Sequence, residues 1–327
     1  MFGEYDLEAK KILDDFLPER IFDAHAHLCD ASEFEGVARQ DGKMPERYYN
    51  ITDYRRDMSG IFGDRELFLN FFLMPGYNKN VFNRTAEAAF LRDQLTRFPG
   101  NSGEITVLPG DDDEIIEKQL VHPGIRGLKC YHTYLNRADS FDAAIDEYLP
   151  ESAWRVADRH GLCITLHMVR QRALADPVNL NYIKTMAERY PNAILILAHA
   201  ARAFAAWTGV ETIGELQGYD NIRYDVAAVC ESPAIFTILQ KIGVSRLMWG
   251  SDYPIVLSQG KAISLADGFY WIYPRDLANF SGAVHSWAIT TENLMATRQA
   301  CMMAGLGRSD VERIFYKNAA ELFHVDG

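Results

Sequence analysis

Arg20-Ile21-Phe22-Asp23-Ala24-His25-Ala26-His27-Leu28 reads as a short buried strand, from Ile21, Phe22 and the small residues set between the polar ones. Alternate side chains of a strand share a face, so His25 and His27 point the same way, about 7 Å apart along it. Two imidazoles at that separation can close on one metal ion, each at about 2.0–2.1 Å. Taken alone, a histidine pair at a strand end is commonplace. The remainder of the chain gives this one weight.

Downstream, strand and helix alternate. Leu67–Leu73 is a second strand, stopped by Met74-Pro75-Gly76, with a helix over Ala86–Phe98 and a third strand at Ile105–Leu108. Ile125–Tyr131 is the fourth, followed by a helix over Phe141–His160, and Leu162–His167 the fifth. The next helix, Asn179–Tyr190, ends at Pro191-Asn192. Ala193–His199 is the sixth and most hydrophobic strand, as expected where helices cover a parallel sheet. Ile222–Val226 and Ser245–Gly250 are the seventh and eighth, with Ser232–Ile242 helical between them. Residues 1–19 carry an amphipathic lead-in helix, and residues 283–327 the C-terminal helices, the last at Val311–Phe323. The pattern predicts one domain over residues 1–327, an α/β chain folded as a (β/α)8 TIM barrel with extra C-terminal helices. A doubly wound open sheet is the competing architecture, but no GxGxxG follows the first strand.

Composition narrows the function classes. The chain has 327 residues, 48% of them hydrophobic, enough for a barrel-sized core, and a formal net charge of −12. That charge argues against nucleic acid or an anionic membrane as partner. Asp111-Asp112-Asp113-Glu114 is the densest acidic run and reads as a helix cap. Five scattered cysteines without CxxC spacing, no apolar leader and no apolar run of bilayer length suggest a cytoplasmic protein acting on a small molecule.

The polar residues then fall into place on the barrel. His25 and His27 end strand one, Lys129 lies in strand four, His167 ends strand five, His199 ends strand six and Asp252 comes after strand eight. In a barrel these strand ends meet at one face, where such enzymes keep their chemistry. Only nine histidines occur in the chain, and four stand at these ends. Neutral imidazoles with a carboxylate suit one divalent ion, zinc first, with Mn2+, Fe2+, Co2+ or Ni2+ as alternatives. Asp252 would serve as base and then acid towards a bound water.

Asp23-Ala24-His25-Ala26-His27, Gly124–Lys129 before Tyr131-His132, Leu166-His167, Leu197-Ala198-His199, Gly250-Ser251-Asp252-Tyr253-Pro254 and Lys317-Asn318-Ala319 occur in that order. The set resembles the amidohydrolase superfamily, in the branch that includes aminocarboxymuconate-semialdehyde decarboxylase, over residues 20–325. The resemblance implies that His25, His27, His167 and Asp252 bind one metal, while His199 faces substrate or water as electrophile or acid. Lys129 has three readings: a carbamate bridging a second ion, as in two-metal members, a group facing a substrate oxyanion, or a structural lysine.

Arg170 and Arg202 lie three residues past His167 and His199 and would hold a substrate carboxylate. Tyr131 or His132 would line the pocket. His122, His160, His285 and His324 have no motif support. Two long segments would cover the mouth. Cys29–Asp64 carries Arg47, Tyr48, Tyr49, Tyr54, Arg55 and Arg56, and the stretch from Pro254 to about Phe280 carries Phe269–Pro274. Their aromatics would form a lid or a homodimer interface. The expected reaction is hydrolysis of an amide, ester or lactone. Decarboxylation of an aromatic or unsaturated acid is the alternative, and a non-catalytic barrel is disfavoured because the ligand set is intact.

Overall fold

The computed structural model describes residues 2–29, 49–75, 82–279 and 284–325. Eight strands succeed one another: β1 (Arg20–Leu28), β2 (Glu66–Leu73), β3 (Ser102–Val107), β4 (Ile125–Cys130), β5 (Cys163–Leu166), β6 (Ile194–Leu197), β7 (Ile222–Asp225) and β8 (Leu247–Met248). Each pairs in parallel with the next. The ring closes through the chain after β8. Ala24 N donates to Trp249 O at 3.0 Å, Asp252 N to His25 O at 2.8 Å and His27 N to Tyr253 O at 2.8 Å. The expected (β/α)8 barrel is present.

A register shift between Asp23 and Ala26 breaks the alternation of β1. Below it Phe22 and Ala24 pack in the barrel floor with Cys163, Ile196 and Met248. Above it Ala26 and Leu28 join the outer helix-facing core, so His25 and His27 turn inward. A bulge re-aims side chains in this way. Asp23 takes Tyr54 Oη–H at 2.9 Å, from the helix Ile51–Phe62, and Ser251 N at 2.8 Å.

The C-terminal segment closes the floor. After the helix Ile289–Met303 come Arg308–Glu312, a π-helical turn Arg313–Lys317 and Asn318–Leu322. Tyr316, Ala319 and Phe323 pack on Phe22, and the Phe323 and Phe22 rings stack 5.8 Å apart. Burying one such ring contributes about 1.5–3 kcal/mol.

Three local expectations change. The helix expected over Phe141–His160 is two pieces, Ile145–Tyr148 and Glu151–His160, because Pro150 lacks an N–H and holds Leu149 extended. The segment Cys29–Asp64 contains the helix Ile51–Phe62, capped by Asn50, whose side chain accepts from Asp53 N. Arg47 and Tyr48 lie outside the described residues. Beyond Pro254 stands an antiparallel hairpin, β9 (Lys261–Leu265) and β10 (Gly268–Ile272), while Phe280 lies outside the described residues. Asp112 caps Asp113–Glu117, as the acidic run implied. Among the described residues no helix is long and apolar enough to cross a membrane, and the five cysteines are buried.

Candidate active site and metal centre

Strand ends bring His25, His27, His167, His199 and Asp252 together at the C-terminal mouth. Ligand atoms of His25, His199 and Asp252 all lie within 4.8 Å of one another, and all three residues are buried. His27 Nε2 stands 3.0 Å from Asp252 Oδ1, and His25 Nε2 stands 3.4 Å from the same oxygen. His167 Nδ1 lies 3.0 Å from His199 Nε2.

The donor chemistry fits a divalent ion. His25 Nδ1 is engaged by Asp225 Oδ2 at 2.9 Å, while its Nε2 is buried and makes no hydrogen bond among the described residues. A buried ligand atom left bare beside a carboxylate is what a metal site requires. His199 Nδ1 donates to Ala227 O at 2.8 Å, which leaves Nε2 as an acceptor, so the contact with His167 is donated by His167 Nδ1.

Burial sets the protonation states. It pushes His199 down to about 4 and His167 well below the usual histidine range, the neighbouring His199 adding to the latter. Burial opposes ionisation of Asp252, but the imidazoles of His25 and His27 hold its carboxyl well below the ordinary value. Asp225 likewise overcomes burial, through the adjacent charge of His25, and is lowered to about 2. At neutral pH the mouth therefore holds ionised carboxylates among neutral imidazoles at His167 and His199.

The backbone here is strained. His199, Ala200, Ala201 and Arg202 have φ of 58°, 52°, 61° and 57°, a left-handed turn without a glycine. Each such residue costs about 1–2 kcal/mol. Asp252 (φ 73°) and Arg170 (φ 73°) share this region. Strain persists where the surroundings over-determine it, characteristically at functional sites.

The remaining candidates separate. Tyr131 Oη donates to Leu73 O at 2.7 Å and lies 3.3 Å from His27 Nδ1, so it braces a proposed ligand. Lys129 is wholly buried and its Nζ has no hydrogen-bond partner among the described residues. It sits 4.3 Å from the Phe72 ring centroid and 5.2 Å from that of Tyr131. Burial lowers its pKa against the pull of Glu104. Arg170 is committed to Asp176, 2.8 Å away, and to Asp142 O. Arg202 donates from Nη1 to Arg170 O, its Nε is buried without a partner among the described residues, and its guanidinium lies 5.4 Å from the Phe269 ring centroid.

Hairpin and mouth meet through aromatic rings. Phe204 lies 5.1 Å from the His199 ring, 5.0 Å from Phe269 and 5.5 Å from Trp271. Tyr270, between them on β10, points outward and is 51% exposed. In the other segment Tyr49 and Tyr54 pack on Tyr253, while Arg56 pairs with Asp53 and Asp57. His132 bonds Ser140 Oγ at 2.8 Å and its ring stacks 6.0 Å from His167. His122 accepts from Gly124 N, His160 pairs with Glu117, and His285 stacks on Tyr5.

Sequence reasoning missed two buried acids. Asp225 ends β7, and the rule that found His167 and His199 at their strand ends would have found it. Glu104, in β3, accepts from Asn70 Nδ2 and Thr165 Oγ1, both at 2.7 Å. Burial raises its pKa to about 7. No signal short of the barrel's interior register marks it.

Comparison with known proteins agrees with this architecture. Residues 22–325 match the family described as amidohydrolase. No curated protein matches the chain. The fold is similar to that of an amidohydrolase from Burkholderia multivorans with bound zinc, at 14% identity and a TM-score of 0.57, covering 94% of this chain and 100% of that one. It is similar to 5-carboxyvanillate decarboxylase from Sphingomonas paucimobilis at 14% identity and a TM-score of 0.59, with coverage of 94% and 100%. A putative 2-pyrone-4,6-dicarboxylic acid hydrolase from Pseudomonas putida is similar at 16% identity and a TM-score of 0.56, with coverage of 95% and 100%. At these identities the structural likeness is one of fold, and the family match carries the assignment. The chain belongs to the amidohydrolase family, as a metal-dependent enzyme of that family.

Proposed function

We propose that the protein hydrolyses an amide, ester or lactone of a small carboxylate-bearing molecule. The observation that carries this reading is the convergence on Asp252 Oδ1 of His27 Nε2 at 3.0 Å and of the buried His25 Nε2 at 3.4 Å, which makes no hydrogen bond among the described residues. In this reading His25, His27, His167 and Asp252 hold one divalent ion, zinc in the first instance. Such an ion, when bound, lowers the pKa of a water and polarises a carbonyl oxygen.

The chain's own groups then divide the work. Asp252 is ionised, and His199 presents Nε2 as an acceptor because Nδ1 is spent on Ala227 O. Asp252 can take a proton from water at the outset and return it to the leaving group, while His199 Nε2 accepts from His167 Nδ1. Phe204, Phe269 and Trp271 wall the mouth against bulk water. The unpartnered Nε of Arg202 beside Phe269 supports recognition of a substrate carboxylate. Arg170, held by Asp176, serves the loop that carries it.

Decarboxylation is the second reading, favoured by the guanidinium and aromatic rings gathered at one wall, which suit an aromatic acid. It needs a group that starts protonated to deliver a proton to carbon. Asp252 and His199 start as acceptors, so hydrolysis is preferred. A panel of lactones, esters, amides and hydroxybenzoates, assayed for ring opening or cleavage and for carbon dioxide, tests the choice. Carbon dioxide release without hydrolysis overturns it. The same proposal takes the protein as cytoplasmic and homodimeric through the outer face of the hairpin, where Leu265 is 62% and Tyr270 51% exposed. Mass measured across a concentration series checks the dimer.

A further inference from the structure

Asp225 lies wholly buried at the end of β7, and its carboxylate contacts His25, His199 and Ala227. Its Oδ1 accepts two backbone N–H groups, His199 N at 2.9 Å and Ala227 N at 3.0 Å. Its Oδ2 faces His25 Nδ1 at 2.9 Å. Ala227, fixed by the first oxygen, in turn accepts His199 Nδ1 at 2.8 Å. One carboxylate thus reaches β1, the left-handed turn after β6 and the loop after β7. A carboxylate can only accept, so His25 must carry its proton on Nδ1, and Nε2 is left bare towards Asp252.

We propose that Asp225 is the positioning residue of this site. It fixes the tautomer of His25 that offers Nε2 as a metal donor, and it pins the strained turn that delivers His199. The proposal rests on His25 being a metal ligand. A histidine ligand is characteristically held through its second nitrogen by a carboxylate, which sets ring orientation and raises ligand basicity.

Asp225→Asn tests this with little change of shape. The two backbone donors require an acceptor, so the amide oxygen must stay where Oδ1 is. The amide nitrogen then takes the place of Oδ2 and donates to His25 Nδ1. His25 is forced to the other tautomer, with its proton on Nε2 where the metal should bind, just as replacing the aspartate of a catalytic triad by asparagine imposes the wrong imidazole tautomer.

Nitrogen-15 spectra of metal-free, histidine-labelled protein, with His25 assigned through a His25→Gln sample, should show Nδ1 protonated in the wild type and bare in Asp225→Asn. Zinc affinity, read by competition with a chromophoric chelator, should fall about ten- to a hundredfold in the variant. Asp225→Asn that binds zinc as tightly as wild type, or that keeps Nδ1 protonated, overturns the proposal. If wild-type protein takes up no zinc, the metal reading itself fails, while the nitrogen-15 comparison still decides the role of Asp225. If the variant does not fold, the wild-type spectrum decides: a protonated Nδ1 supports the assignment and a bare one refutes it.

Discussion

The two ends of the barrel are built on opposite terms. At the floor, Phe22, Ile196 and Met248 meet Tyr316 and Phe323 in a closed apolar cluster. At the mouth, five imidazole and carboxylate groups face one another, His25 Nε2 has no hydrogen bond among the described residues, and four successive residues without a glycine lie in the left-handed region. The same strands run through both ends. The register shift in β1 marks the change, since Phe22 and Ala24 fill the interior below it and His25 and His27 above it. Stability is invested in the floor, and the mouth keeps bare ligand atoms and strained backbone that only a function explains.

Mutation at the two ends should therefore have opposite effects. Asp252→Asn should lower kcat/KM between about a hundredfold and ten-thousandfold while the denaturation midpoint stays at or above that of wild type. A matching loss of stability would make Asp252 a structural residue. Phe323→Ala should do the reverse, costing about 3–5 kcal/mol in urea unfolding with unchanged turnover in the remaining folded protein.

Two arginines divide in the same way within the mouth. Arg202→Gln removes a guanidinium whose Nε has no partner among the described residues, so KM for a carboxylate substrate should rise by about tenfold or more. Arg170→Ala should leave KM unchanged, because its guanidinium already bonds Asp176 and Asp142 O. Equal effects on KM would place both in the substrate pocket.

The smallest effect is read with pH. Asp225 is lowered from 3.8 to about 2, so its ionisation stabilises the fold above pH 3.8, and that contribution is lost as pH falls through about 2. The contribution is on the order of 2 kcal/mol. Stability curves over the acid range should therefore be flatter for Asp225→Asn than for wild type, and superimposable curves would contradict the contact between Asp225 and His25.

Much of this was legible in the chain because parallel barrel strands are continuous apolar runs, and the groups that end them are exceptions to that apolarity. Leu166-His167 and Leu197-Ala198-His199 announce both strand and site. Asp225 comes after Ile222-Arg223-Tyr224 by the same grammar, but a strand interrupted by arginine and tyrosine is a weaker run, and its last residue passes as a loop acid. The bulge in β1 is not legible, since strict alternation would carry Asp23 to the face of His25, whereas closure against Trp249, Asp252 and Tyr253 dictates otherwise. The helix Ile51–Phe62 does have a local signature. Asn50 and Asp53 form a capping box, and Ile51, Tyr54, Met58, Ile61 and Phe62 make its buried face, but the polar sequence around it masks the period. The partner of Arg170 is also local, six residues away at Asp176, yet whether an arginine faces substrate or its own loop depends on backbone the sequence does not display.

Metal content per chain, measured on protein purified without chelator or added metal and set beside Lys129→Ala, decides whether the mouth of the barrel is a single-metal site. One divalent ion per chain, unchanged by the loss of Lys129, is the expected result. Two ions, one of them lost with Lys129, would mean a carbamate-bridged pair, and no metal even after zinc is offered would contradict the metal site altogether.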